Sequence, residues 1–174
     1  MKNHSKLTIG CLLACIVAAA LGYRSPAIAA PPVDSTPPPF TIELEAGLAC
    51  NFDLLIEGSG GNRHLKEFTD KNGNIVRSLN AGTGSALQFT NLTTGNTFST
   101  KSNGAVAHTR FNSDGSFTET DTGHNLLILF PTDVPAGPST TLIVGHVVFT
   151  VDINGVFTVL DVSGRTIDIC AALT

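Results

Sequence analysis

The sequence is poor in positive charge, and this excludes two classes of partner. Its 174 residues contain 10 Lys and Arg against 14 Asp and Glu. Three of the cations and none of the acids lie in residues 1–29, so the remainder has seven cations, fourteen acids and a formal charge of −7 with histidines neutral. Such a chain has no electrostatic footprint for nucleic acid and is repelled by anionic membranes. We therefore expect neither partner.

The sequence also lacks the local motifs of common enzymes. No G-x-S-x-G occurs, so the usual nucleophile elbow of hydrolases is absent. The glycine-rich stretches 58–61 and 82–84 lack the Lys and the helix that complete a phosphate-binding loop. We expect both stretches to be flexible turns. No cofactor is predicted.

The sequence predicts no metal site either. Asp70-x-Asn72-x-Asn74 begins like a calcium loop, but Ile75 and Ala81 replace its glycine and glutamate, so a hairpin turn is favoured. No two histidines after residue 29 are two or four positions apart, and this excludes a local chelate. Those histidines are His64, His108, His124 and His146.

Asp121 and His124 are the only candidates for acid–base chemistry. They lie three positions apart at a predicted strand boundary. An acid can orient a histidine for base catalysis, yet the same pair is equally common in a turn. Both interpretations stay open, and no catalytic residue is assigned.

Residues 1–29 have the three-part pattern of a secretory signal. Lys2 and Lys6 precede an apolar stretch over residues 7–21, and a small-residue site follows at Ala27-Ile28-Ala29. Spanning a bilayer takes about 20 apolar residues, and this stretch is shorter. We predict cleavage after Ala29 and a secreted or periplasmic product. A lipid anchor at Cys15 is the alternative, because a small residue precedes that cysteine.

The rest of the chain divides into a leader and one domain. Residues 30–39 are dense in proline, which predicts an extended, semi-rigid leader. Residues 40–174 are rich in Thr, Val, Phe and Gly, show no sustained helical period, and are long enough for a single core. No transmembrane segment is predicted after the signal.

Regular turn signals indicate an all-β fold. Asn-Gly and Asp-Gly pairs tolerate the positive φ of tight hairpins. Their spacing predicts an antiparallel barrel or sandwich of roughly eight to eleven short strands. On the strand after 112–115, Phe117, Glu119 and Asp121 share one face. Three prolines make residues 131–138 a loop. The predicted hairpin tips are 71–74, 94–96, 103–104, 114–115 and 154–155.

Three stretches resemble a group of small exported bacterial β-proteins of unassigned function. They are residues 89–95 (FTNLTTG), 129–133 (LFPTD) and 162–170 (VSGRTIDIC). The resemblance covers most of the chain after the signal, but its motifs are turns and strand ends. It implies export and a β fold, and it supplies no catalytic residue.

Two cysteines remain after the predicted cleavage, Cys50 and Cys170. A pair of cysteines in an exported domain predicts a disulfide, because the compartment is oxidising. We expect Cys50 to open an early strand and Cys170 to close the last one, so that the bond ties the ends of the fold together.

Three functions remain open. The favoured one is an exported, non-catalytic domain that binds an extracellular partner, a glycan or a small apolar ligand. The alternatives are a barrel-type enzyme that uses Asp121 and His124, and a structural, envelope-associated protein. An interior cavity lined by an acid–histidine pair would favour the enzyme, and a broad apolar patch over a solid core would favour the structural role.

Overall fold

The fold was analysed in a computed structural model that describes residues 33–35 and 37–174. The predicted signal, Cys15 and residues 30–32 and 36 of the leader lie outside these residues. Eleven strands and one short helix are described, within the predicted number of strands. They are β1 (Val33–Ser35), β2 (Phe40–Leu44), β3 (Leu54–Ser59), β4 (Asn62–Thr69), β5 (Ile75–Thr83), β6 (Ala86–Asn91), β7 (Thr97–Thr100), β8 (Gly104–Phe111), β9 (Phe117–Leu129), β10 (Ser139–Val151), β11 (Phe157–Asp168) and α1 (Ile169–Ala172).

The strands form two antiparallel sheets. The large sheet has the order β1-β4-β5-β8-β9-β10-β11, and the small sheet has the order β2-β3-β6-β7. Each sheet ends in strands with a free side, so neither closes on itself. The all-β prediction is confirmed, and of its two alternatives the fold is sandwich-like.

Four of the five predicted hairpin tips join neighbouring strands. At the β4–β5 tip, the Asp70 carboxylate accepts hydrogen bonds from the backbone N–H groups of Asn72 and Asn74, at 2.8 and 3.0 Å. The calcium-like stretch is therefore a turn closed by its own aspartate. The prediction for Asn103-Gly104 was wrong, because these residues connect β7 of the small sheet to β8 of the large one.

The small sheet packs against one end of the large sheet. Leu54 and Ile56 of β3 and Phe89 of β6 are almost fully buried, together with Leu142 of β10 and Ile169 of α1. Burial of each such side chain contributes about 1.5–3 kcal/mol. A second cluster has its buried side chains on β10, and side chains of β9 and β11 pack against them. The buried side chains are those of Ile143, Val147, Phe149 and Val151.

A disulfide joins Cys50 to Cys170, whose Cα atoms are 5.6 Å apart. The pairing is as predicted, but the expected positions were wrong. Cys50 lies in the turn before β3, and Cys170 lies in α1. Asp168 caps this helix by accepting a hydrogen bond from the Ala171 N–H at 3.0 Å, and four residues are too few to produce a helical period in the sequence.

A row of glycines crosses the large sheet. Gly123 pairs with Ala105 on one side and with Gly145 on the other, and Gly145 pairs with Gly164. A Cβ atom on Gly123 would lie 2.3 Å from the carbonyl oxygen of Gly104. The neighbouring backbone therefore lies too close to Gly123 for a side chain.

The two glycine-rich stretches were predicted as flexible turns, and this was wrong for part of each. Gly58 lies within β3, where a Cβ would meet the Phe40 ring. Gly82 lies within β5 and pairs with Ala105, so it continues the glycine row. Only Gly60 and Gly61, and Gly84, lie outside strands.

The loop predicted at residues 131–138 connects β9 to β10 and covers the start of β11. The Val134 N–H donates to the Phe157 carbonyl at 2.8 Å, and the Val159 N–H donates to the Val134 carbonyl at 2.7 Å. Beyond this contact, a register shift against β10 leaves Leu160 as an extra residue. In the part of the chain that the structure describes, no helix is long and apolar enough to cross a membrane.

Removal of the disulfide tests its contribution to stability. It closes a loop with a sequence separation of 120 residues. We expect the variant C50S/C170S to lose about 2–4 kcal/mol in free energy of unfolding, because the unfolded chain regains entropy. Guanidinium unfolding with and without reductant measures this. Reductant should leave the variant unchanged, and equal stability of both proteins would contradict the prediction.

The glycine row supplies a matched pair of substitutions. Gly123 and Gly115 have nearly equal φ, 95° and 93°, but no atom lies within 4 Å of a Cβ on Gly115. Gly115→Ala should lose about 1–2 kcal/mol from its backbone conformation alone. Gly123→Ala should lose a further 1–3 kcal/mol, roughly, from backbone overlap. Urea unfolding compares them, and equal losses would show that the row tolerates a side chain.

Candidate functional site

A groove of about 580 Å³ is lined by residues of both sheets. Phe40 of β2 and Leu87 of β6 contribute from the small sheet, and β4, β5, β8 and β9 contribute from the large one. The lining from the large sheet is mostly polar, which is unusual for the inner side of a sandwich. Its polar side chains include Arg63, Ser78, Asn80, Thr109, Glu119 and Asp121.

Strand register places these polar side chains together. Asn80 of β5 pairs with Ala107 of β8, which in turn pairs with Asp121 of β9. One step along the strands, Ser78, Thr109 and Glu119 are paired in the same way. Because directly paired residues of an antiparallel sheet point to the same face, the two rows form one polar surface.

Hydrogen bonds between strands fix this surface. The Arg63 Nε donates to the Asn80 Oδ1 at 3.0 Å, and the Thr109 hydroxyl donates to the Glu119 Oε2 at 2.7 Å. The guanidinium of Arg63 is thereby held against β5, and the carboxylate of Glu119 against β8. The groove therefore presents a cation and a carboxylate in fixed positions, beside the carboxyl group of Asp121.

Asp121 is the most perturbed acid of the site. Burial, together with the charge and hydrogen bonding of Glu119, raises its pKa to about 7, and the charge of Arg63 opposes this shift. Near neutral pH this carboxyl group is thus divided between its protonated and ionised forms. Glu119, two residues earlier on the same face, also accepts a hydrogen bond from the Thr109 hydroxyl.

Two buried polar atoms of the groove have no hydrogen-bond partner among the described residues. They are the Asp121 Oδ1 and the Asn125 Nδ2. Both side chains lie on β9 and line the groove. A buried polar atom without a partner destabilises a protein by about 1–3 kcal/mol, so its presence calls for an explanation.

An apolar recess of about 290 Å³ adjoins the polar surface. Asp121, Asn125 and Glu119 line both the recess and the groove. The other side chains of the recess are aliphatic and aromatic, among them Leu127 and Phe149. The two unpartnered atoms therefore belong to side chains at the boundary between a polar and an apolar surface.

The structure places the predicted pair Asp121 and His124 in the same groove but does not join them. Asp121 and His124 both line the groove, and Gly123, with its positive φ, lies between them in the sequence. No hydrogen bond or ion pair links the two side chains in the described part of the chain. The acid that raises the pKa of Asp121 is Glu119. The sequence did not single out Glu119 as a site residue.

The remaining histidines are dispersed. His146 of β10 approaches Asp161 of β11, with 3.9 Å between Nε2 and Oδ2. His64 lies on β4 and His108 on β8. Within residues 33–35 and 37–174, no group of three His, Cys, Asp or Glu side chains is placed to hold a metal ion.

Comparisons with protein-family models, with curated protein sequences and with solved structures gave no match. The resemblance to small exported bacterial β-proteins stays a prediction.

Asp121 should make stability depend on pH. Its pKa is about 7 in the folded chain against an ordinary value of 3.8, so the folded chain holds this proton more tightly. Between about pH 4 and pH 7 unfolding releases the proton, and the free energy of unfolding falls as pH rises through this window. Urea unfolding across the window measures the slope, and Asp121→Asn should reduce it.

Glu43→Gln serves as the control, because this exposed carboxylate lies on β2, outside the groove. Glu43→Gln should leave the pH dependence of the free energy of unfolding between pH 4 and pH 7 as in the unsubstituted protein, whereas Asp121→Asn should remove the part that comes from Asp121. If Asp121→Asn and Glu43→Gln have the same slope as the original chain, the carboxyl group of Asp121 is not perturbed.

Proposed function

We propose that this chain is an exported, non-catalytic binding domain whose groove holds a small polyhydroxylated ligand such as a short saccharide. The observation that carries the proposal is the pair of buried, unpartnered atoms, the Asp121 Oδ1 and the Asn125 Nδ2. A bound ligand's hydroxyl groups both donate and accept, so they can pair with a carboxyl oxygen and with an amide N–H. Binding would thereby remove the penalty of the two unpartnered atoms.

The rest of the lining suits the same class of ligand. Arg63 supplies donors, and Glu119 supplies an acceptor beside Asp121. Phe40 and Leu87 line the groove from the small sheet. Sugars present hydroxyl edges and apolar C–H faces, and sites for such ligands combine a few fixed polar groups with apolar walls.

The disulfide supports export. Bonds of this kind form and persist in oxidising compartments, and Cys50–Cys170 ties the turn before β3 to α1. The signal pattern in residues 1–29 points the same way. We therefore place the binding activity outside the cytoplasm.

A second candidate is glycoside hydrolysis by Glu119 and Asp121. The pKa of Asp121 is raised while Glu119 lies two residues away on the same face. Glycosidases use one protonated and one ionised carboxyl group. This pair replaces the acid–histidine pair as the basis of an enzymatic hypothesis, and release of reducing sugar distinguishes it from binding alone.

Titration with defined oligosaccharides tests the proposal. Cello-, xylo-, malto- and chito-oligosaccharides would each be titrated into the protein by calorimetry. We expect one class to bind, and expect Asp121→Ala and Asn125→Ala each to weaken it by roughly 5- to 150-fold, the equivalent of about 1–3 kcal/mol. Thr122→Ala, an exposed neighbour on β9, is the control and should bind unchanged.

Absence of binding by every oligosaccharide at millimolar concentration would overturn the proposal. Equal weakening by the Thr122 control would also overturn it, because the loss would then follow from general disturbance of β9. Release of reducing sugar that disappears in Glu119→Gln would replace binding by hydrolysis as the function.

A further inference from the structure

The face of the large sheet opposite the groove carries a cluster of cations. Lys66 of β4, Arg77 of β5 and Arg110 of β8 lie on three adjacent strands. They are three of the seven Lys and Arg residues that follow residue 29. Strand alternation separates them from the groove, since the groove takes Ser78 and Thr109, their direct neighbours in sequence.

Register and ring contacts fix the cluster. Arg77 is paired with Phe68 on one side and with Arg110 on the other. The guanidinium carbon of Arg77 lies 4.0 Å from the centre of the Phe68 ring, and the Lys66 Nζ lies 5.1 Å from the same ring. Both cations are held by the aromatic ring rather than by a counter-charge.

The cluster lacks an internal counter-ion. Among the described residues, no carboxylate lies within 4.0 Å of Lys66, Arg77 or Arg110. The His146–Asp161 ion pair lies elsewhere, on β10 and β11. Like charges directly opposite in adjacent strands destabilise a sheet. Two exposed arginines that face each other in a chain of net negative charge are therefore placed for an external anion.

A cleft of about 400 Å³ gives this cluster a shape. Arg77 and Arg110 line it with the Asn112 side chain and with the rings of Phe68 and Phe111. The planar fork of arginine matches carboxylate and sulfate groups with two parallel hydrogen bonds. The cleft thus combines two oxyanion-binding forks, one amide and apolar edges.

Hydroxyl groups continue the row beyond the cleft. Arg110 pairs with Thr118, Thr118 with Thr150, and Thr150 with Thr158. With Phe68 and Arg77 the row crosses six strands, a span of roughly 24 Å at the usual strand spacing. A row of two cations followed by three hydroxyl groups suits an extended chain that carries both anionic and hydroxyl groups.

Three aspartates near the row disfavour a ligand with a broad anionic surface. Asp70, Asp114 and Asp152 lie at the β4–β5, β8–β9 and β10–β11 tips, which share one end of the large sheet. Hydrogen bonds from backbone and side-chain groups of the turns lower the pKa of each, so all three are ionised at neutral pH. These aspartates lie two to four residues from the row, so a bilayer or a nucleic acid duplex would bring many of its charges against them, whereas a single sugar chain presents fewer charges.

We propose that Arg77 and Arg110 form the anion-binding end of a surface for an acidic polysaccharide, one that bears uronate or sulfate groups. This surface is independent of the groove, because it lies on the other face of the large sheet and shares no lining residue with it.

Binding to immobilised polysaccharides tests the proposal. Polygalacturonate supplies carboxylates, dextran sulfate supplies sulfates, and unmodified dextran supplies neither. We expect the full-length processed protein to bind one or both acidic polymers and not dextran. The variant R77Q/R110Q should bind at least tenfold more weakly, and competition by free polymer should release the unsubstituted protein.

The matched control is K101Q/R165Q, which removes the same two charges at exposed positions off the row. It should bind within about twofold of the original chain, since net charge alone does not create the site. Melting temperatures of both variants check that they are folded. Thr150→Val, which removes a hydroxyl from the row, should weaken polygalacturonate binding severalfold.

Three results would overturn the proposal. The first is that the acidic polymers fail to bind. The second is that both double variants lose binding equally, which makes the effect one of net charge. The third is that phosphatidylglycerol vesicles, or duplex DNA, bind as tightly as the polysaccharides. None of these outcomes touches the oligosaccharide titrations of the groove, so the two proposals fail separately.

Discussion

The small sheet is too short to cover the large one, and the arrangement of the molecule follows from this mismatch. Four strands of four to six residues face a sheet whose longest strands have thirteen. The apolar contact is concentrated where Leu54, Ile56 and Phe89 meet Leu142 and Ile169. Over the inner surface of β4, β5, β8 and the first half of β9, the described part of the small sheet contributes only Phe40 and Leu87 to the groove, and most of the side chains on this surface are polar.

On this inner surface of the large sheet, electrostatic interactions outweigh apolar packing. Arg63 and Glu119 are held by neighbours on other strands, while Asp121 and Asn125 each keep one buried polar atom unpaired. A protein optimised only for stability would fill such positions with apolar side chains. The groove instead retains polar groups at a cost in stability, as binding sites commonly do.

The sequence predicted the strands well and the site poorly, for one physical reason. Hairpins depend on neighbouring residues, so Asp114-Gly115 and Asn154-Gly155 were enough to locate the β8–β9 and β10–β11 turns. The disulfide was also predictable, because only two cysteines follow the signal pattern. The position of Cys170 in a helix was not, since a four-residue helix leaves no periodic signal.

The groove is made by register between strands distant in sequence. Arg63 and Asn80 are 17 residues apart, and no local pattern around either residue predicts their hydrogen bond. The alternation of Glu119 and Asp121 on one face was the one local signal, and it was visible. The glycine row was missed for the same reason: Gly82, Gly123, Gly145 and Gly164 each look like an isolated turn or a weak strand position until pairing aligns them.

The contact between the loop and β11 bears on self-association. A long strand at the edge of a sheet offers a template on which another chain can add and start an aggregate. Val134 occupies the hydrogen-bonding groups of Phe157 and Val159 at the start of β11, and the extra residue Leu160 then breaks the regular spacing. This edge is thereby shortened and irregular, which makes it a poorer template for the addition of a second chain.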